Sequence, residues 1–384
     1  MKKMESVVLH ETGAKKSQTE AKASRVGKPA FQTPAEIDAE ILRLMELRAE
    51  LTVSALEDPA KEAETNGNDG GNGIENGNTR SRRKKMLLAD ECKESVLHDI
   101  RSLCDSLVRP KNVAFLGPLF SFTHQAALKF FGSGAHFSPV STIGSVFEEV
   151  ERGQCDFGIV PVENSTDGRV VDALETFTHS KVQICGEVDL PIHHTLMGLC
   201  GRSEIQVVLS KPQALSQCRH WLAKHLPGVR MEETASTAAA AQIAKETPNA
   251  AAIASILAAK AYGLNVLVPE VEDSRFNVTR FVVLGKEDAP KTPRSKTMLM
   301  FELPHEVGAL ADAMMIFKKN RVNLPWIESF PIQNEPGRYI FFVDMEGHRS
   351  QMKIRRTLAA LERKHAKIVV LGSYPAAEQN RPQL

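Results

Sequence analysis

The sequence predicts an α/β protein in which a helical region precedes two folded domains. Near the start of the chain, apolar residues recur at helical spacing. From Asn112 onward, short apolar strands alternate with helices, a pattern typical of a mostly parallel sheet with helices on its faces. From about Lys296 the elements follow the order strand, helix, strand, strand, helix, strand, which is the ferredoxin-like βαββαβ order.

Length and charge exclude several classes of function. The 384 residues are enough for two or three domains with hydrophobic cores. Basic and acidic residues number 48 and 47, so no domain-wide basic surface marks nucleic acid as the main partner. We find no apolar run of membrane-spanning length and no signal-peptide core, and the polar start contains acids. We therefore expect a cytoplasmic protein without a membrane partner.

The N-terminal region reads as disorder, helix, linker and helix. Residues 1–33 are polar and lack a hydrophobic period, which predicts disorder. An amphipathic helix follows, capped by Thr33 and Pro34, and its apolar residues recur every three or four positions: Ile37, Ile41, Leu44, Leu47 and Leu51. The Asn/Gly tract at 65–79 predicts a flexible linker, and the basic run after it predicts a solvated linker end. A second helix ends at Pro110.

The long middle region, 111–286, should hold the alternating strands and helices. We predict strands at "NVAFLG" and "CDFGIVPVENS", and helices at "SFTHQAALKFFG" and "STIGSVFEEVERG" that end at Gly132 and Gly153. "STAAAAQIAKE" and "AAIASILAAKAYGL" read as alanine-rich helices, and "TRFVVLG" reads as the last strand. At about 175 residues this region is long enough for two lobes.

Common catalytic and metal-binding signatures are missing from the sequence. The six cysteines form no CxxC pair, which predicts reduced, structural thiols and no zinc site. The sequence contains neither the phosphate-binding motif GxxxxGK[ST] nor a GxGxxG motif after a strand. His193 and His194 are adjacent on an extended segment, so they face opposite sides and should not chelate one metal together. We interpret them as core or supporting histidines.

Polar residues cluster at the carboxyl ends of the predicted strands. The segments are "GPLFSFTH", "PVENSTDG", "SKPQALSQC" and "ETASTAA", whereas "DSRFNVTRF" leads into its strand. In an open α/β sheet the crevice outside the strand ends is the ligand site. Helix N-termini there offer free backbone N–H groups that suit an anion. The pattern therefore predicts a small, anionic, hydrogen-bonding ligand between two lobes.

Taken in order, these segments closely resemble those of prephenate dehydratases. The quoted motifs are "GPLFSFTHQAA", "DFGIVPVENSTDGRV", "SKPQALSQC", "STAAAA" and "NVTRF". The C-terminal "VGALADAM" and "WIESFP" are similar to the ACT regulatory domain that follows the dehydratase. The N-terminal "EIDAEILRLMELRAELT" and "VLHDIRSLCDSLVRP" are similar to outer helices of chorismate mutase in bifunctional relatives. The resemblance covers about 112–375 and, more loosely, 34–110.

The resemblance implies a bilobal, periplasmic-binding-protein-like catalytic domain and a ferredoxin-like ACT domain. It also implies a cofactor-free, metal-free reaction in which prephenate loses its ring hydroxyl and its ring carboxylate, giving phenylpyruvate, water and carbon dioxide. L-phenylalanine is the implied effector, and a homodimer or higher homo-oligomer the implied assembly. The implied divisions are 1–33 disordered, 34–110 mutase-like, 111–286 catalytic, 296–375 ACT and 376–384 a disordered tail.

The resemblance also implies roles for individual residues. Thr279 would touch the leaving hydroxyl as a hydrogen-bond donor or acid, with Asn164 and Gln217 as further catalytic residues. Arg280 would bind a substrate carboxylate, or pair with Glu272 or Asp273 to brace the loop. The remaining substrate-binding residues would be Glu163, Ser165, Ser210, Ser121, Thr123, Ser236 and Thr237. Effector-binding residues would be Gly308, Ala309, Leu310, Glu328 and Ser329.

Four positions depart from the family pattern. Phe120 replaces a glycine in the first motif, and Lys211 replaces the histidine of "SHPQ". In the ACT region Val307 replaces a proline, and Phe330 replaces the arginine of Glu-Ser-Arg-Pro. We expect Phe120 to reshape the cleft. Because Phe330 removes a charge from the effector seam, we expect weaker phenylalanine inhibition than in relatives that keep the arginine.

The mutase-like region departs most. Arg48 matches one expected cation, but Pro59 stands where a lysine is expected, with Lys61 nearby, and the Asn/Gly tract replaces the middle helix. We expect no mutase activity and a role in dimerisation. Two alternatives to prephenate dehydratase remain open. One is arogenate dehydratase, whose substrate carries an amino group on the side chain, and the other is a non-catalytic amino-acid sensor.

Overall fold

The computed structural model describes residues 33–57, 89–332, 338–364 and 367–377. The described residues form two compact units, divided between Leu97 and His98. Several sequence-based expectations lie outside the described ranges: the disorder of 1–32, the linker at 65–79, the basic run 80–85, Pro59, Lys61 and the tail from 378. Within the described part of the chain, no helix is long and apolar enough to cross a membrane.

The first unit contains helix α1, Pro34–Glu57, and the start of helix α2, Asp90–Val108. Thr33 caps α1 as expected: its Oγ1 accepts from the Glu36 backbone N–H at 3.3 Å, and the Glu36 carboxylate accepts from the Thr33 N–H at 3.3 Å. This reciprocal capping box satisfies two N–H groups at the helix start. The Lys93 ammonium pairs with Glu46 at 2.6 Å.

The first sheet of the second unit has six strands in the order β2-β1-β3-β11-β5, with β4 paired to β3. Its strands are β1 Asn112–Leu116, β2 His136–Val140, β3 Phe157–Asn164, β4 Gly168–Arg169, β5 Gln183–Pro191 and β11 Val278–Gly285. Its helices are α3 Phe122–Phe131, α4 Ile143–Glu151 and α5 Val171–Phe177. The expectation of a mostly parallel sheet is wrong on one side, because β11 returns from far along the chain and runs antiparallel to both β3 and β5.

The second sheet has five strands in the order β10-β6-β9-β7-β8. Its strands are β6 Thr195–Gly198, β7 Val207–Ser210, β8 Arg230–Glu233, β9 Ala250–Ala254 and β10 Asn265–Val268. Its helices are α6 Pro212–Gln217, α7 Arg219–His225, α8 Thr237–Glu246 and α9 Ile256–Tyr262, and a 3₁₀ turn spans Arg202–Glu204.

One expected alanine-rich helix is in part a strand. The segment "AAIASILAAKAYGL" begins inside β9, all five residues of which are buried. Helix α9 starts only at Ile256, after Ser255 caps it by accepting from the Ala258 N–H at 3.3 Å. Alanine favours helices locally, but burial on both sheet faces decides the outcome here, since tertiary packing overrides a weak propensity.

The third sheet has the βαββαβ order that the sequence predicts, with strands arranged β13-β14-β12-β15. Its strands are β12 Ser295–Glu302, β13 Trp326–Pro331, β14 Tyr339–Glu346 and β15 Lys367–Pro375, and its helices are α10 Ala309–Lys319 and α11 Met352–Arg363. One face packs on the helices through Phe301, Phe317 and Val343. The other face joins a core with the first sheet through Met298, Trp326 and Phe342.

Strands β3 and β11 lie side by side and position the residues considered below. Thr279 pairs with Asn164, and Arg280 pairs with Glu163. The register then shifts, so that Phe281 pairs with Pro161. Such a bulge adds a residue on one strand and redirects nearby side chains, and bulges are common beside active sites.

Candidate active site

A cavity of about 350 Å³ lies where the edges of the first two sheets meet. Its wall is rich in amide and hydroxyl groups, with one lysine. The polar lining residues are Ser121, Thr123, Asn164, Asp172, His194, Lys211, Gln213, Gln217, Ser236, Thr237, Asn277 and Thr279. The segments from which the sequence predicted a ligand site therefore do converge on one cavity.

A buried pair, Thr279 and Asn164, forms the centre of the wall. The Asn164 Nδ2 donates to Thr279 Oγ1 at 2.7 Å, and both residues are 9% exposed. Because the threonine oxygen accepts this bond, the hydroxyl hydrogen is left to donate to another group. The other end of Asn164 is fixed too, since its Oδ1 accepts from the backbone N–H groups of Thr166 and Asp167 at 2.9 and 3.0 Å.

A chain of amides extends this pair along the cavity wall. The Asn164 amide also donates to Asn277 Oδ1 at 2.9 Å, and Asn277 Nδ2 donates to Gln217 Oε1 at 3.1 Å. Gln217 Nε2 donates to Asp167 at 3.0 Å, and Gln213 donates to the same carboxylate oxygen. Interlocked donors and acceptors of this kind hold each member in one orientation.

His194 continues the chain and its tautomer follows from its partner. Gln217 directs its NH₂ group at a carboxylate, so its Oε1 faces His194 Nε2 at 2.9 Å, and Nε2 must carry the hydrogen. The ring is 2% exposed and meets Phe122 edge to face at 5.5 Å between centroids. Burial lowers the pKa of His194, although the Gln217 contact opposes this shift. The side chain is therefore a neutral donor at pH 7.

Groups suited to carboxylates lie at the other walls of the cavity. Ser236 caps α8 by accepting from the Ala239 N–H at 3.0 Å, and Thr237 opens that ten-residue helix. Ser121 caps α3 in the same way, accepting from the His124 N–H at 3.3 Å. Lys211 contributes a cation to the lining. Helix N-termini and a lysine together suit a dianion.

Three residues expected to bind substrate serve instead as supports. Ser165 Oγ donates to the Phe276 carbonyl at 2.8 Å and accepts from the Val278 N–H at 2.9 Å, so it ties the entry to β11 in place. Ser210 is fully buried and gives its one hydroxyl hydrogen to the Ile253 carbonyl at 2.6 Å. Glu163 faces away from the cavity, because it alternates with Asn164 along β3.

Both expected roles of Arg280 are corrected by the structure. The side chain points away from the cavity and is 4% exposed, with Nε donating to Glu187 at 3.0 Å. Glu272 instead pairs with His193 at 2.8 Å, and Asp273 pairs with His220 at 3.1 Å. The physical reason is strand alternation: adjacent residues face opposite sides, so if Thr279 faces the cavity Arg280 cannot.

Phe281 and Phe120, two aromatic residues of these motifs, differ in their relation to the cavity. Phe281 is 2% exposed and also lines the cavity beside Thr279. Phe120, expected to reshape the cleft, adopts φ +67°, the left-handed region that glycine favours. Its ring packs on Tyr262 at 5.5 Å, and its carbonyl accepts from Ser255 Oγ at 2.9 Å. The ring is therefore held against the second sheet and is not among the cavity-lining residues.

The residues predicted to bind an effector lie on the third sheet and at the start of α10, and none of them lines this cavity. Gly308 adopts φ +84° with open space around its missing side chain, and it precedes Ala309 and the 41%-exposed Leu310 at the start of α10. On β13, Ser329 is exposed, while the Glu328 carboxylate pairs with Arg169 at 3.1 Å.

Two members of the hydrogen-bonded chain are not predicted by the sequence. Asn277 and Asp167 lie within the quoted motifs, but nothing about their spacing separates them from ordinary turn residues. The sequence predicts His194 as a core or supporting histidine, and in the structure it supports Gln217 while lining the cavity. The pairing of β11 with β3, which no local sequence pattern predicts, brings Asn277 and Asp167 to Asn164.

We predict that stability falls as the pH drops below about 6.5. Burial lowers the pKa of both His124 and His194, so the unfolded chain binds more protons than the folded one. The contribution is fully present above the unfolded pKa and is lost as pH falls from that value through the lower folded pKa. Urea unfolding midpoints at pH 7.5, 6.5 and 5.5 measure this. His124→Asn should make the urea midpoint depend less steeply on pH, and the same substitution at the exposed His136 should not. Equal slopes for both variants would contradict the assignment.

The fold and the cavity define an α/β protein with a polar cavity that presents a buried, oriented hydroxyl. Residues 113–289 match the family model described as prephenate dehydratase. A bifunctional chorismate mutase/prephenate dehydratase of Aquifex aeolicus is 44% identical over 288 residues, covering 74% of this chain and 80% of that protein. The chain belongs to the prephenate dehydratase family.

Two solved structures are similar to this one. A prephenate dehydratase from Arthrobacter aurescens in complex with L-Phe aligns with a TM-score of 0.64 and 32% identity, covering 69% of this chain and 90% of that one. A protein described as GqqA, a novel type of quorum quenching acylase, aligns with a TM-score of 0.63 and 27% identity, covering 69% and 98%.

Proposed function

We propose that this protein is a prephenate dehydratase that converts prephenate to phenylpyruvate, water and carbon dioxide in phenylalanine biosynthesis. Family membership and relatives at 36–44% identity support the activity. The single observation that carries the proposal is the buried Thr279 hydroxyl, which receives a 2.7 Å hydrogen bond from Asn164 and faces a cavity.

The chemistry requires help for a poor leaving group. The bond between the ring and its hydroxyl oxygen breaks as the ring carboxylate leaves as carbon dioxide. The electron pair of the C–C bond that joined the carboxylate to the ring completes the aromatic ring. Thr279, which already accepts from Asn164, donates its hydroxyl hydrogen toward the departing oxygen. A threonine is too weak an acid to transfer a full proton early. Charge stabilisation by the fixed donors and proton delivery from water therefore share the task.

The two carboxylates of prephenate need separate partners. The N-terminus of α8, with Ser236 and Thr237, suits one of them, and Lys211 with the start of α3 suits the other. Gln217 fixes the amide chain between them, held by His194 and Asp167. On this proposal Ser121 and Thr123 contact substrate, whereas Ser165, Ser210, Glu163 and Arg280 act behind the cavity wall.

One assay tests the activity. Purified protein is mixed with prephenate, and phenylpyruvate is followed by its ultraviolet absorbance. Arogenate in a parallel reaction, with phenylalanine as the measured product, separates the two dehydratases. Binding of prephenate without product would favour a non-catalytic sensor and would remove the proposed function.

We further propose that 111–286 is the catalytic domain and 296–375 an ACT domain that binds L-phenylalanine. The βαββαβ order and the L-Phe-bound relative support this. A homodimer joined through the third sheets fits the open turn at Gly308 and the edge position of β13. Glu328 would receive the ammonium group in competition with Arg169. The free cysteines fit a reducing cytoplasm.

We predict that the protein has no useful chorismate mutase activity. A mutase must surround a dianion with several cations on long helices, and this chain has Pro59 at one expected lysine and an Asn/Gly tract in place of the middle helix. The disappearance of chorismate in the presence of purified protein is the measurement. Rapid formation of prephenate would show that a second chain completes the site and would overturn the proposal for 34–110.

A further inference from the structure

Each of the four strands of the third sheet contributes a side chain that contacts Arg280 or Glu187, the carboxylate that accepts from Arg280. From β14, Asp344 pairs with Arg280 Nη2 at 2.5 Å. From β15, the Tyr374 hydroxyl accepts from the same nitrogen at 3.1 Å and donates to Asp344 at 2.9 Å. From β13, the Trp326 ring lies 5.4 Å from the guanidinium carbon. From β12, Lys296 pairs with Glu187 at 2.6 Å.

The central members of this cluster are buried, and the cluster lines a second cavity of about 430 Å³. Arg280, Glu187, Asp344 and Tyr374 are each at most 5% exposed. Burial disfavours ionisation of Glu187, but Arg280 and Lys296 outweigh it and lower its pKa. Interactions among buried charges are strong, and breaking one leaves the others without compensation. The guanidinium is therefore held in one place by groups from two sheets.

Arg280 is linked through the backbone of β11 to Thr279, which carries the proposed catalytic hydroxyl. Arg280 follows Thr279 directly on β11, and their side chains leave opposite faces of the strand. Their partners on β3, Glu163 and Asn164, alternate in the same way. The bulge directly after Arg280 shifts the register between β11 and β3, so the placement of both strands depends on this position. A shift of the Arg280 backbone therefore moves Thr279 as well.

We propose that Arg280 is a positioning residue for the dehydratase reaction, through which the third sheet sets the placement of the Thr279 hydroxyl. The inference rests on the proposed function and adds to it. The third sheet then belongs to the catalytic apparatus even without an effector bound. Since a displacement of about 1 Å can cost roughly 10²-fold in rate, loosening this anchor should be visible in turnover.

Two conservative variants of the full-length protein test the proposal. Tyr374→Phe keeps the ring that fills the core and removes only the hydroxyl, and Asp344→Asn keeps the shape and removes the charge. We expect each to lower kcat for prephenate about tenfold, with KM changed less than about threefold. Asp312→Asn is the matched control, because it breaks the exposed pair with Lys364 at 3.4 Å on the same domain. It should leave kcat unchanged.

A double-mutant cycle separates positioning from general loosening. Thr279→Ser keeps the hydroxyl but removes the β-branch that restricts its rotamer. If Arg280 acts through Thr279, the effects of Tyr374→Phe and Thr279→Ser on kcat do not add. Additive effects would overturn the inference, and so would a wild-type kcat in both Tyr374→Phe and Asp344→Asn. In either case, prephenate turnover by the wild-type protein leaves the proposed function standing. A wild type without turnover overturns both.

Discussion

Replacing Thr279 by valine is expected to lower kcat for prephenate by roughly 10²–10⁴-fold. Valine keeps the β-branched shape that suits a strand but removes the oxygen that accepts from Asn164 at 2.7 Å. The departing oxygen then loses its donor, while the amide chain through Asn277 remains. Initial rates over a range of prephenate concentrations give kcat and KM separately. KM should change little, because the contact strengthens in the transition state.

Two variants control this measurement. Thr279→Ser restores a hydroxyl at the same place and should recover most of the activity. Thr247→Val makes the same substitution at an exposed residue at the end of α8 and should be silent. Unfolding midpoints within error of wild type would show that the fold is intact. Near-normal turnover by Thr279→Val would end the assignment of Thr279 as a catalytic residue.

Replacing Phe330 by arginine is expected to destabilise the second unit by about 3 kcal/mol or more. The resemblance to the ACT domain implies that this residue lies at an effector seam. In the structure the ring is 8% exposed, meets Phe342 at 6.4 Å and belongs to the core between the first and third sheets. An arginine there loses the apolar burial and places a charge in that core.

Urea unfolding measures this effect, read as a lower midpoint at constant slope. Phe276→Arg makes the identical substitution at a side chain that is 68% exposed and should shift the midpoint little. An unchanged midpoint for Phe330→Arg would show that the core can open to admit the charge. The question of phenylalanine affinity is then better tested at Leu310, which is exposed near Gly308.

Much of this protein could be predicted from local sequence. The helix cap at Thr33 and the βαββαβ order of the third sheet depend on residue type and near-neighbour spacing, whereas the role of Thr279 is implied by the family resemblance. The convergence of five polar segments on one cavity followed from a general property of α/β sheets.

The direction of each side chain was decided by pairing between distant strands. Arg280 stands next to Thr279 in sequence, yet only the antiparallel insertion of β11 between β3 and β5 assigns one to the cavity and the other to the third sheet. Ser210 has the residue type of a binding site and Phe330 lies in a motif expected at an effector seam, but burial fixes Ser210 on the Ile253 carbonyl and Phe330 in a core. The physical reason is that a strand has two faces, and its own sequence does not say which one another sheet will cover.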